Sequence, residues 1–246
     1  MLRETIKRWL PRAARTRAGK HLVHAALAGD RAALRFYELE RWPERAAEFE
    51  DLDFLFTSSQ LSHGIASLRL DEAALLFRLV RGLGRATIVE LGRYKGGSTL
   101  LMAVAMPPGS SLWSYDLHVG HPPGVTGERL DAELAGALRR YGIEGVQLIV
   151  GDTRSVEQPP GPYDLVFVDA DHSYEGARAD VERWAPLVRP GGHLLFHDAV
   201  DTGGWGTTYP GIARLVAELE RMGLGLRREI GAGTIAHFVR QDAAAR

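Results

Sequence analysis

Two short runs of this 246-residue chain set acids and imidazoles close enough together to do chemistry. Val168-Asp169-Ala170-Asp171-His172-Ser173-Tyr174-Glu175-Gly176 places two carboxylates and an imidazole within the four positions 169–172 at the end of an apolar run, and His197-Asp198 closes a second one. Hard oxygen ligands at this density point to a divalent cation. Mg2+ keeps several waters among its roughly six ligands, so two or three protein groups suffice, and Asp169 with Asp198 could supply two. His197 either completes the set, since imidazole suits Mn2+, Zn2+ or Fe2+ better than Mg2+, or hydrogen-bonds behind it. Such a cation lowers the pKa of a bound hydroxyl and offsets alkoxide charge. Asp171 or His172 could take the released proton, although an Asp-His pair at a strand end is also an ordinary structural arrangement.

A glycine-rich turn is the second pattern. In Thr87-Ile-Val-Glu-Leu-Gly-Arg-Tyr-Lys-Gly-Gly-Ser-Thr-Leu100, Gly92, Gly96 and Gly97 let the backbone approach a ligand. A P-loop would carry Gly-Lys followed by Ser or Thr, but Lys95 precedes the paired glycines and Gly97 precedes Ser98, which disfavours nucleotide hydrolysis. The turn also lacks Gly-x-Gly-x-x-Gly and puts Glu90 ahead of its first glycine, where a pyrophosphate would meet an acid, so a nicotinamide dinucleotide fits poorly. An acid there suits a ligand that is cationic or hydroxyl-rich, and S-adenosylmethionine, with its sulfonium, ammonium and ribose, qualifies. Asp116 could accept from both ribose hydroxyls, and Asp152, in a Gly-Asp turn, falls where an adenine edge would lie. A cap or turn residue is the alternative for either acid.

These residues need elements to position them. Short β-branched and aliphatic runs at 87–91, 112–116, 146–150, 164–168 and 193–197 alternate with helical stretches, which predicts a parallel α/β sheet. Each strand ends in or is followed at once by an acid, namely Glu90, Asp116, Asp152, Asp169 and Asp198. In an open parallel sheet the ligand crevice lies beyond the carboxyl ends of the strands, so these acids line one edge. Leu70 to Leu83 reads as a helix, for which Asp71 and Glu72 suit the start. Residues 1 to about 70 read as an α-helical appendage. It opens with a basic amphipathic helix stopped near Pro11, and helical pattern continues from about His21 to Glu50. That opening helix packs on its own domain or on a second subunit, with membrane-surface contact or targeting as the alternatives.

Taken in order, these motifs resemble the class I S-adenosylmethionine-dependent methyltransferases. Val-Glu-Leu-Gly-Arg-Tyr-Lys-Gly-Gly-Ser-Thr is similar to their first motif, Tyr115-Asp116 to the second, Gly151-Asp152 to the third and Tyr163-Asp-Leu-Val-Phe-Val-Asp169 to the fourth. Leu187-Val-Arg-Pro-Gly-Gly-His-Leu-Leu195 resembles the turn before their fifth strand. The resemblance implies a doubly wound, mostly parallel Rossmann-like sheet over 71–246 that binds S-adenosylmethionine, with 1–70 as lid or oligomerisation appendage. It implies that Glu90 and Gly92 hold the methionine portion, Asp116 the ribose and Asp152 lies near the adenine, with Tyr94, Ser98 and Asp169 also binding the cofactor. Asp-x-Asp further resembles the metal-dependent O-methyltransferases of sugars and small molecules. There Asp169 matches a metal ligand and Asp171 a proposed base, while His197-Asp198 departs from their usual acid-acid or acid-amide pair. On that likeness Asp169, His197 and Asp198 are the expected metal ligands and Asp171, His172 and His197 the catalytic candidates.

The acceptor is expected to be a hydroxyl of a sugar or saccharide, with a phenolic or catechol small molecule second and a non-catalytic S-adenosylmethionine-binding module as the alternative of another class. A glycine-rich stretch after Asp198 carries Asp201, Trp205 and Tyr209, which could bind hydroxyls and stack on a ring. The polar connector from Thr57, including His63, is a second candidate wall, whereas His118 and His121 read as loop residues. Lys and Arg total 30 against 31 Asp and Glu, so no basic field gathers nucleic acid. Cysteine is absent, which removes thiolate sites and Cys nucleophiles. No apolar run is long enough for a membrane span and no signal-peptide core is present, so a cytoplasmic protein is expected, with a homodimer as the default assembly.

Overall fold

The computed structural model describes residues 44–56, 64–119, 121, 125–201 and 209–242. The basic N-terminal helix, the helical pattern up to residue 43, the connector with His63, and Trp205 lie outside the described residues. Of the stretch expected to be helical through Glu50, residues 44–48 are not helical, and a 3-10 helix, Phe49–Leu55, follows them.

Five apolar runs become parallel strands: β1 (Thr87–Leu91), β2 (Ser111–Asp116), β3 (Val146–Val150), β4 (Tyr163–Val168) and β5 (Val188–Phe196). In β1, Ile88, Val89 and Leu91 are buried on both faces of the sheet, as a central parallel strand must be. The helices are α1 (Leu70–Arg81), α2 (Gly97–Ala105), α3 (Gly127–Arg140), α4 (Tyr174–Trp184) and α5 (Pro210–Glu218). Helix α1 buries Ala73, Leu76, Phe77 and Val80, one stripe at helical spacing. Leu52, Phe54 and Leu55 of the 3-10 helix join that stripe and α2 in one core layer, while α4 and α5 pack Val181, Trp184, Ile212 and Leu215 on the other face. Trp184 is fully buried and its indole donates to Thr153 O at 3.0 Å, consistent with a packing residue.

A hairpin that the sequence pattern did not announce completes the sheet: β6 (Leu226–Ala232) and β7 (Ile235–Arg240). Strand β7 runs antiparallel to β5 and β6 antiparallel to β7, giving the order β3-β2-β1-β4-β5-β7-β6. The order reverses between β1 and β4, and a doubly wound sheet opens its ligand crevice at that point. β1 and β4 pair from Ile88↔Leu165 to Leu91↔Val168, so the Gly92 turn and Asp169 leave the sheet side by side. Gly92 has φ +91°, and a Cβ there would stand 2.2 Å from the Asp169 carbonyl oxygen, so only glycine fits between the two turns.

Candidate active site

The β1–α2 turn is organised around two acids that behave differently. Glu90 has no exposed surface and accepts from Ser98 Oγ, Thr99 Oγ1 and Ser114 Oγ, each at 2.5 Å. Burial pushes its carboxyl above the usual range, and the three hydroxyls pull it only part of the way back. Glu90 therefore ties the start of α2 to β1 and β2 and shapes the turn from behind. Asp116 stays partly exposed at the end of β2. Its Oδ2 accepts Arg93 N–H at 2.9 Å and Tyr94 N–H at 2.8 Å, and its Oδ1 accepts His118 N–H at 2.6 Å. Tyr94, with φ 49°, stacks on His121 with centroids 5.6 Å apart.

Arg93 anchors the same turn. Its guanidinium grips Asp131 of α3 at 2.7 and 2.8 Å and donates to Ser114 O at 2.6 Å, with no exposed side-chain surface. No spacing rule links residues so far apart, so this pair leaves no trace in the sequence. Asp152, at the edge past β3, is held by Arg154, whose side chain and backbone N–H keep its carboxyl down at about 2.

The second cluster sits beyond the ends of β4 and β5. Asp169, His172 and Asp198 each bring one ligand atom within 4.8 Å of the others. His172 Nε2 is 3.4 Å from both Asp169 Oδ1 and Asp198 Oδ2. His197 lies deeper, with Nδ1 3.1 Å from Asp169 Oδ1 and Nε2 3.2 Å from Glu72 Oε2. Burial opposes charge throughout, but opposite charges prevail. His197 and His172 hold Asp169 down at about 2, while the surrounding carboxylates raise His172 to about 9 and His197 to about 11. Asp198 has φ 54°, a left-handed backbone state uncommon for a residue with a side chain, and its carboxylate faces the cluster.

The expected site residues thus separate in space. Asp169 and Asp198 converge with His172. His197 has carboxylates on both ring nitrogens and stands behind Asp169. Asp171 is exposed and accepts Ser173 N–H at 2.9 Å at the start of α4. Tyr209 places its ring 4.2 Å from that of His172, and its N–H donates to Asp198 O at 3.1 Å. Asp201 is exposed beyond them. Glu72, which reads in sequence as a helix-start acid, proves to be a buried neighbour of the cluster. Two carboxylates and one imidazole are a chemically suitable set for a first-row divalent cation, and all three side chains keep some solvent access.

Residues 89–199 match a family model for a methyltransferase domain. The chain is 29% identical over 143 residues to caffeoyl-CoA O-methyltransferase 2 of Zea mays, covering 54% of this chain and 49% of that protein. It is 28% identical over 157 residues to tricin synthase 2 of Oryza sativa subsp. japonica, covering 61% of this chain and 49% of that protein. The chain therefore spans about half the length of these curated relatives. Its fold is similar to the crystal structure of cofactor-bound Rv0187 from MTB, with TM-score 0.57, 20% identity, and coverage of 93% of this chain and 94% of that one. Among the described residues, no helix is long and apolar enough to cross a membrane.

Proposed function

The chain resembles the class I S-adenosylmethionine-dependent methyltransferases in its motifs, its matched domain family and its fold, and from that premise we propose a cation-assisted O-methyltransferase acting on a hydroxylated small molecule. The observation that carries the reading is the convergence of Asp169, His172 and Asp198 beside the Gly92 turn, at the switch point of the sheet. A saccharide hydroxyl is the first acceptor, on the Asp-x-Asp likeness. A phenol is the second, favoured by the caffeoyl-CoA O-methyltransferase relative.

Bound S-adenosylmethionine would supply an electrophilic methyl, and a bound cation would lower the acceptor hydroxyl's pKa and offset its developing charge. Each group of this chain has a distinct task. Asp116 has oxygen lone pairs left over for the ribose after its three backbone bonds, and those bonds fix it in place. Glu90, through Ser98 and its fellow hydroxyls, keeps the turn open for the methionine end, and Tyr94 covers the turn. Asp152 marks the adenine side. Asp169, His172 and Asp198 hold the cation. The imidazole admits Mg2+ and favours Mn2+. With His172 committed as a ligand, Asp171 is the remaining candidate to take the hydroxyl proton, which requires its carboxylate to turn from Ser173 N–H toward the cluster. Tyr209, beside His172, and the exposed Asp201 are the acceptor contacts, and a homodimer is the assembly. A cytoplasmic location without nucleic-acid partners completes the reading.

Calorimetric titration of S-adenosylhomocysteine into the chelator-treated full chain, repeated with Mg2+ or Mn2+, tests it. Saccharides and catechols are then scored for methyl transfer in the presence of S-adenosylmethionine. Cofactor binding without metal, followed by metal-dependent transfer to one acceptor class, is expected. Loss of all cofactor binding overturns the reading, and binding without transfer to any hydroxyl favours a non-catalytic module.

A further inference from the structure

Resting on the cation site just described, we infer that Glu72 is its positioning residue, orienting Asp169 through His197 and Asp198 through Thr234. A glutamate in the first turn of a helix commonly accepts the backbone N–H ahead of it, and Glu72 Oε2 does accept Arg69 N–H at 2.7 Å. That duty can be met at a solvated helix end and does not require burial. Glu72 is 1% exposed, and its other bonds all point inward. Oε1 accepts Thr234 N–H at 2.6 Å and Thr234 Oγ1–H at 2.9 Å, and Oε2 faces His197 Nε2 at 3.2 Å.

The β6–β7 turn is shaped around this carboxylate. Gly233 has φ +52°, and a Cβ there would lie 2.3 Å from Glu72 Oε1. Thr234 follows immediately, and its hydroxyl, which donates to Glu72, accepts Asp198 N–H at 3.2 Å. On the other side, His197 has an acceptor on each ring nitrogen, Glu72 on Nε2 and Asp169 on Nδ1, so the ring is held from both ends. Both cation-site acids are thereby braced against one group on α1, an element outside the parallel strands that carry them. Groups placed behind metal ligands fix ligand orientation, and their loss weakens metal affinity.

The test is Mn2+ titration of the full chain for the native protein, Glu72→Gln and Asp169→Asn, with S-adenosylhomocysteine affinity and the His197 ring N–H resonances measured alongside. Glutamine keeps an acceptor for Thr234 but turns a donor toward His197 and toward Arg69 N–H, which share Oε2. The expected result is Mn2+ affinity weakened about ten- to a hundredfold, cofactor affinity unchanged and the His197 Nε2–H resonance lost. If Glu72→Gln does not fold, Thr234→Val, which removes only the bridging hydroxyl, takes its place and is expected to weaken Mn2+ by a smaller factor. Native Mn2+ affinity together with a native His197 signal in the variant overturns the inference. If the native protein binds cofactor but no Mn2+, the cation reading falls by itself, and an unchanged His197 signal in Glu72→Gln then overturns the positioning role.

Discussion

His197 Nδ1 stands 3.1 Å from Asp169 Oδ1, a contact that spans the ends of two neighbouring strands. The register brings the two residues level. Val168 of β4 pairs with Phe196 of β5, so the next residue on each strand, Asp169 and His197, emerges at the same level, and Asp198 follows one position later. A parallel pair thus delivers an acid and an imidazole to one point with no loop needed to bring them together.

Asp169→Asn tests what this point is for. The amide keeps the shape but removes the charge that faces both His172 and His197. Methyl transfer is expected to fall by roughly a thousandfold, the equivalent of several kcal/mol of charge stabilisation, together with Mn2+ affinity. S-adenosylhomocysteine affinity should stay near native when read by calorimetry. Parallel loss of cofactor and metal would place Asp169 in the cofactor site instead.

Asp116→Asn should do the reverse. Asparagine leaves one carbonyl acceptor where two oxygens now serve three backbone N–H groups, and it turns its own N–H2 toward one of them. Hydrogen bonds to a charged group contribute about 1.5–3 kcal/mol, so the dissociation constant for S-adenosylhomocysteine should rise roughly ten- to a hundredfold. Mn2+ binding is expected to persist. Unchanged cofactor affinity would remove Asp116 from the ribose role.

The parallel half of the sheet is legible because buried parallel strands read as unbroken apolar runs, and the acids that follow them mark the crevice. Other features depend on contacts that sequence order hides. Strand β5 begins at Val188 rather than near His193 because Pro190-Gly191-Gly192, which looks like a turn, is absorbed by a register shift against β4. The β6–β7 hairpin is obscured by exposed positions in β6 such as Arg227, Arg228 and Ile230. At the end of β4, neighbouring side chains diverge. Asp171 turns back to Ser173 N–H and His172 turns into the cluster, a choice made by the loop rather than by residue type. Glu72 resembles an ordinary cap until the fold brings His197 and Thr234 to it from 125 and 162 residues away.

Gly92→Ala probes the contact between the cofactor turn and the cation strand directly. Both its positive φ and the 2.2 Å approach of an added Cβ to the Asp169 carbonyl oppose any side chain. Overpacking against backbone costs about 1–3 kcal/mol and sometimes more, so a lower melting temperature is expected together with weakened binding of both cofactor and Mn2+. A variant as stable as the native protein, with both ligands bound normally, would show that the two turns move independently.

Asp180 of α4 predicts a pH effect that can be isolated. It is 1% exposed and accepts Thr153 Oγ1–H at 2.6 Å. Burial raises its carboxyl to about 6, and Asp152 and Asp171 add to the rise while Thr153 opposes it. The folded chain therefore holds this proton more tightly than the unfolded chain. Stability from this group is complete below the unfolded value near 3.8 and is lost as pH rises to about 6, after which the loss is constant. A shift of this size corresponds to about 3 kcal/mol. Asp180→Asn retains an acceptor for Thr153 and carries no charge. The variant should be more stable than the native protein above pH 6, and the difference should shrink toward pH 4 in thermal denaturation. A difference that does not vary across that range would mean that Asp180 ionises normally in the folded protein, and that water reaches it between α4 and the Asp152 turn.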